Sequence, residues 1–146
     1  MTRLTLAHAS IIVDKALELG RSRKLKPLAV AVLDAGGHLL ALKREEDASI
    51  LRPQIAESKA WGCLGMGYGG REFVRRNVIR PTFYTALAIA SEGRIMPVAG
   101  GVLVRGADGQ IIGAVGVTGD SEDNDDACAI AGIKAAGLLP DTGDPE

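Results

Sequence analysis

Seven positions separate Arg52 from Lys59 (59 − 52), so on a helix the two cations share a face. An arginine fork and a lysine point charge beside a glycine-rich turn suit a small carboxylate or phosphate. Arg44 stands nearby in sequence, with Glu46 and Asp47 behind it. The run Gly116-Val117-Thr118-Gly119 precedes a helix start, whose free N–H groups add donors for an anion. The candidate ligand-binding set is therefore Arg44, Arg52, Lys59, Gly116, Thr118 and Gly119. Catalysis there needs carboxylates that exchange protons, and Asp34, Glu46 and Asp120 lie at predicted strand ends. Carboxylates with different solvation would divide acid and base work between them. Lys59 joins them as an amine nucleophile if it is desolvated. The same charges equally suit a solvated face, where Arg44 and Lys59 pair with Glu46, Asp47 or Glu57.

Other chemistry finds less support. Gly113, Gly116 and Gly119 are evenly spaced, but within a predicted strand rather than between strand and helix, so they are not a dinucleotide fingerprint. Gly65, Gly67, Gly69 and Gly70 follow a helix, again the wrong context. The acidic run Asp120–Asp126 lacks the glycine and the final glutamate of a calcium loop, and it reads as the charged start of a helix. His8 and His38 are the only imidazoles. With two dispersed cysteines they form no zinc spacing, so no metal site is expected. Cys63 and Cys128 read as buried, reduced thiols of a cytoplasmic protein.

These residues need a scaffold. The 146-residue chain is the size of one domain, expected over 1–146 with 139–146 as a flexible tail. A net charge of −1 and few aromatics argue against nucleic acid. No apolar run is long enough to cross a membrane. Thr5 caps a helix to about Arg23, with Ala9, Ile12, Val13, Ala16 and Leu19 on one stripe. Leu28–Leu33 and His38–Arg44 flank a Gly-bearing turn and read as a hairpin. Helices are predicted from Pro53 to Gly65, over Arg71–Asn77 and over Pro81–Ser91. A second hairpin pairs Pro97–Arg105 with Gln110–Val117 around Asp108-Gly109. A last helix starts at Asp120 or Ser121 and runs to about Ala136. Two hairpins with helices before, between and after them predict an α+β fold.

Five segments, in order, resemble the GlcG/HbpS-like family (DUF336). They are Leu4-Thr5-Leu6-Ala7, Ala31–Gly37, Lys59-Ala60-Trp61, Pro97–Val102 and Ile112–Gly119, the last followed by an acidic helix start that includes Asp125. The family pattern departs at Arg44-Glu45-Glu46-Asp47, where Arg-x-Asp is usual, and at Gly119-Asp120, where Gly-Gly is usual. The resemblance implies a profilin-like fold with a five-stranded antiparallel sheet covered by helices on both faces. Four strands are evident; the fifth is expected near Arg94–Pro97 or as a split of Gly100–Val104. It also implies a homo-oligomer, a dimer or octamer, and haem as a possible cofactor, with His38 or His8 as the first candidate ligands and Met66, Tyr68 or Cys63 behind them. The leading expectation is a small oligomeric ligand-binding protein for haem or a related tetrapyrrole. One alternative is an enzyme of small-molecule catabolism acting on a carboxylate-bearing metabolite at a subunit-interface pocket. Another is an accessory partner of a catabolic pathway.

Overall fold

The structure, a computed structural model, describes residues 2–145. The elements run α1 (Leu6–Ser22), β1 (Ala29–Asp34), β2 (Leu39–Arg44), α2 (Arg52–Met66), α3 (Gly70–Ile79), α4 (Pro81–Ala90), β3 (Gly101–Arg105), β4 (Ile111–Thr118), α5 (Glu122–Ala135) and β5 (Leu139–Asp141). All five strands form one antiparallel sheet in the order β2-β1-β4-β3-β5. The two hairpins thus join through their inner strands, Ala29 facing Thr118 and Asp34 facing Gly113.

Strand alternation assigns the two faces. Val30, Val32, Val102, Val104, Val115 and Val117 point to one side, where Ile12, Val13 and Ala16 of α1 and Ala129 and Ile133 of α5 cover them. Each such buried aliphatic contributes about 1.5–3 kcal/mol. Leu33, Leu103 and Ala114 point to the other side, under Ala60 and Cys63 of α2, with Phe73 and Tyr84 from α3 and α4. Under the first turns of α2 this face is built of small residues, Ala29, Ala31 and Gly116, so the helix lies very close to the sheet. A Cβ on Gly116 would land on the Ala56 carbonyl, 2.8 Å from its carbon. Only glycine at that strand position lets the helix backbone approach so far.

Local signals set the helix ends. The Thr5 hydroxyl accepts from His8 N, and His8 Nδ1 accepts from Thr5 N, a reciprocal cap with histidine in the usual Glu/Gln place. The Ser121 hydroxyl caps α5 by accepting from Asn124 N.

Two expectations about strands need correction. The fifth strand is Leu139–Asp141, within the segment read as a tail, and neither Arg94–Pro97 nor a split of Gly100–Val104. Arg105 fastens it, its Nε donating to Asp141 at 2.9 Å. Its few residues and its proline gave no strand period; pairing with β3 decides it. Strand β3 also starts at Gly101, later than Pro97. The backbone leaves the ladder at Gly100, where φ is +102° and the N–H donates to Asp126 Oδ1 rather than to a strand.

Candidate functional site

At the ends of β3 and β4 the polar groups converge. Lys59 is only 6% exposed. Its Nζ donates to Val117 O at 3.0 Å and to Asp125 Oδ2 at 3.2 Å. Asp120 N donates to the other Asp125 oxygen at 3.2 Å. Beside this pair, Arg71 Nε donates to Asp126 Oδ2 at 2.6 Å and Arg71 also pairs with Asp123. Arg52 Nη1 donates to Thr118 Oγ1 at 2.7 Å. Among the described residues no buried side-chain nitrogen or oxygen lacks a partner. Burial pushes the Asp125 carboxyl up to about 6 against the opposing pull of Lys59. Burial likewise raises Asp126, with Arg71 opposing it.

Of the residues expected to bind a ligand, Arg52, Lys59 and Thr118 meet here, and their donors are engaged by protein acceptors. Arg44 stands apart and exposed, donating to Glu45 O at 3.1 Å and Ala48 O at 2.9 Å. Gly116 is covered by Ala56, and Gly119 packs on Pro27. Glu46 and Asp47 lie exposed in a separate surface groove with Arg21 and Glu45. Asp120 organises the turn before α5, accepting from Asn124 Nδ2 at 2.7 Å, Ser121 N at 2.8 Å and Lys26 N at 2.9 Å. Those donors, Asn124 foremost, hold its carboxyl down at about 2, so it is a fixed acceptor at neutral pH. The partners that sequence reading missed are Asp125, Asp126 and Arg71. The acidic run read as dipole complement, and Glu122, Asp123 and Asp125 do occupy the first turn of α5. Helical spacing held a second signal, because Asp125 is three and four positions before Cys128 and Ala129 on the buried stripe.

A second polar constellation forms at the opposite end of the sheet, on the β1–β2 turn. Asp34 Oδ1 accepts from Gly36 N at 2.9 Å and from His38 N at 3.0 Å. The His38 ring Nδ1 lies 3.2 Å from the same oxygen. Burial pushes the Asp34 carboxyl up, yet the backbone N–H groups of His38 and Gly36 and the His38 ring outweigh it, and the net shift is downward. An ionised Asp34 favours the Nδ1–H tautomer and leaves Nε2 with its lone pair. The His38 side chain is 80% exposed. It borders a groove of about 430 Å³ that Leu4, Leu40 and Ile112 line, with Arg3 at its side.

The remaining haem-ligand candidates are otherwise engaged. His8 is part of the α1 cap. The Tyr68 hydroxyl lies 2.6 Å from that of Tyr84, and burial and this bond push its ionisation to higher pH. Cys63 is fully buried, and desolvation, with Asp126 and Asp141 adding to it, pushes its thiol up to about 12. Met66 packs half-buried against the α2 core. Among the described residues no group of three or more His, Cys, Asp or Glu could hold a metal ion, and no helix is long and apolar enough to cross a membrane.

Comparison with known proteins places this geometry in a family. The family described as "Haem degrading protein HbpS-like" matches residues 4–134. Protein GlcG of Escherichia coli (strain K12) is 42% identical over 94 residues, which cover 62% of this chain and 63% of GlcG. The match thus spans a little under two thirds of that relative's length. The crystal structure of a PduOC–haem complex superposes with a TM-score of 0.83 at 25% identity, covering 98% of this chain and 100% of that one. The crystal structure of HbpS superposes with a TM-score of 0.78 at 27% identity, covering 92% and 90%. Because the match runs from before α1 to the last turn of α5, and the five-stranded sheet with helices on both faces is that of the superposed structures, the chain belongs to the HbpS-like family.

Proposed function

We propose that this protein is a small cytoplasmic haem-binding protein that uses His38 as the iron ligand. The observation that carries the proposal is the Asp34–His38 pair. A carboxylate holds Nδ1 at 3.2 Å, so the exposed ring offers Nε2 beside an apolar groove. The groove suits the group, since Leu4, Leu40 and Ile112 offer surface to a flat apolar ring and Arg3 a cation for haem's carboxylates. When bound, haem would supply an iron centre for ligand or redox chemistry. His8 serves a cap instead, and the family description and the PduOC–haem complex support haem as the bound group.

The rival reading, a metabolite carboxylate held by Arg52 and Lys59, meets donors already taken by Thr118, Val117 and Asp125. Self-association belongs to the proposal. The segment Pro81–Ala90 carries no charge, and among the described residues of α4 only Tyr84 is buried. Ile79 and Ile89 are 79% and 77% exposed, and Val78 is exposed beside them. Such an apolar face on a single copy supports a homo-oligomer, a dimer or octamer.

Hemin titration tests the haem reading. The unaltered protein gives a saturable Soret shift; His38→Ala abolishes it and His8→Ala keeps it. Asp34→Asn weakens binding about tenfold or more, the usual effect of losing a ligand's carboxylate partner. No saturable shift, or an equal shift in both histidine variants, overturns the assignment.

A further inference from the structure

A groove of about 280 Å³ lies on the α2 side, where Gly37 and Leu39 line it; the His38 ring borders the other groove, with Leu4 and Leu40. Gln54, Glu57, Ser58 and Trp61 line it at spacings of three and four, the outward stripe of α2, while Ala56, Lys59, Ala60 and Cys63 form the buried stripe. Arg94 closes the other side. Its guanidinium lies 4.0 Å from the Trp61 ring centroid. Stacking by the flat face leaves the N–H edges of a guanidinium free for a partner.

The polar groups of this groove are unengaged. The Glu57 carboxylate, the Arg94 guanidinium, the Gln54 amide, the Ser58 hydroxyl and the Trp61 indole N–H make no side-chain hydrogen bond or ion pair with any described residue. Most other charged groups that line a groove in this fold are paired, as Arg21, Arg75 and Arg105 are. Here an anion and a cation line one concavity without pairing, and a tryptophan lines it with them. Leu39, half exposed, adds an apolar wall. The volume lies at the lower end for small-molecule pockets, about 300–1,000 Å³, and therefore suits a metabolite far smaller than haem.

We infer that the Glu57–Trp61–Arg94 groove is a second binding site, for a small zwitterion of the α-amino-acid class with a short apolar side chain. Arg94 takes the carboxylate, in the fork geometry that carboxylates favour. Glu57 takes the ammonium. The apolar side chain lies against Leu39 and the indole edge. The site is independent of the His38 reading, and a failed hemin titration leaves it untouched.

Trp61 is the chain's single tryptophan, so its emission reports this groove alone. Titration with L-alanine and L-leucine gives a saturable change in emission. Isocaproate, which lacks the ammonium, and isoamylamine, which lacks the carboxylate, bind at least about tenfold more weakly than L-leucine, the loss expected for one charged hydrogen-bonding partner. Glu57→Gln weakens L-leucine by a similar factor and leaves isocaproate unchanged; Arg94→Gln weakens both. Calorimetry confirms the Arg94→Gln result, because that change alters the emission baseline, and far-UV circular dichroism confirms that both variants fold. No saturable response to either amino acid overturns the inference. Isocaproate binding as tightly as L-leucine also overturns it, and so does an unchanged L-leucine affinity in Glu57→Gln.

Discussion

Replacing Lys59 by Met keeps the unbranched stem of the side chain and removes its charged end, which leaves Asp125 buried without its cation. The cost depends on pH in a way the structure sets. Asp125 titrates at about 6 in the fold against 3.8 for an ordinary aspartate. The folded carboxyl holds its proton more tightly, so stability falls as pH rises between about 4 and 6, by about 3 kcal/mol at about 1.4 kcal/mol per unit. In Lys59→Met the opposing cation is gone, and the carboxyl stays protonated past neutrality. At about pH 7.5 proton uptake from 6 upward then adds about 2 kcal/mol to the cost. The Val117 carbonyl, left without its donor, adds about 1 kcal/mol. The total of about 3 kcal/mol agrees with what breaking a buried pair usually costs, about 3–5 kcal/mol. At about pH 5 Asp125 is protonated in both proteins, and only the carbonyl's share of about 1 kcal/mol remains. Asp126 keeps Arg71 in both proteins and cancels to first order. Urea unfolding of the two proteins at the two pH values measures this. A penalty of equal size at both, or a variant as stable as the parent at the higher pH, refutes the assignment of Lys59 and Asp125 as a coupled buried pair.

Gly116→Ala forces a methyl group onto the Ala56 carbonyl and so lifts α2 from the sheet. It lowers stability by about 1–3 kcal/mol or more, and an unchanged melting temperature contradicts the close approach. Cys63 and Cys128 sit in the core with thiols pushed up to about 12 and about 11, chiefly by desolvation. Both resist thiol reagents at neutral pH in the native protein and react once it is unfolded in urea; fast labelling of the native chain counts against that burial. Ile79→Asp with Ile89→Asp changes exposed positions, so sedimentation shows a smaller species while circular dichroism stays as it was. If the size distribution is unchanged, the α3–α4 face is not the self-association surface.

Local chemistry was legible in the residues themselves. Thr5 and Ser121 cap helices because a hydroxyl meets an N–H three positions on, and the turns at Gly36-Gly37 and Asp108-Gly109 join strands that alternate around them. The Asp34–His38 contact spans only four positions, so it too lay within reach of sequence spacing, although the two residues were assigned separate roles. What tertiary structure alone decided is longer in range. Lys59 and Asp125 stand 66 positions apart, and only the packing of α2 and the start of α5 at the strand ends makes them partners. Arg71 and Asp126 are 55 positions apart and meet for the same reason. Leu139–Asp141 carries no strand signal of its own, and the open edge of β3 makes it one, because backbone pairing does not depend on side-chain pattern. Sequence by itself determined the five helices and the two hairpins, though not the edge strand β5. The sheet order decided which distant charges are buried together, because that energy depends on solvent exclusion, and no residue carries it alone.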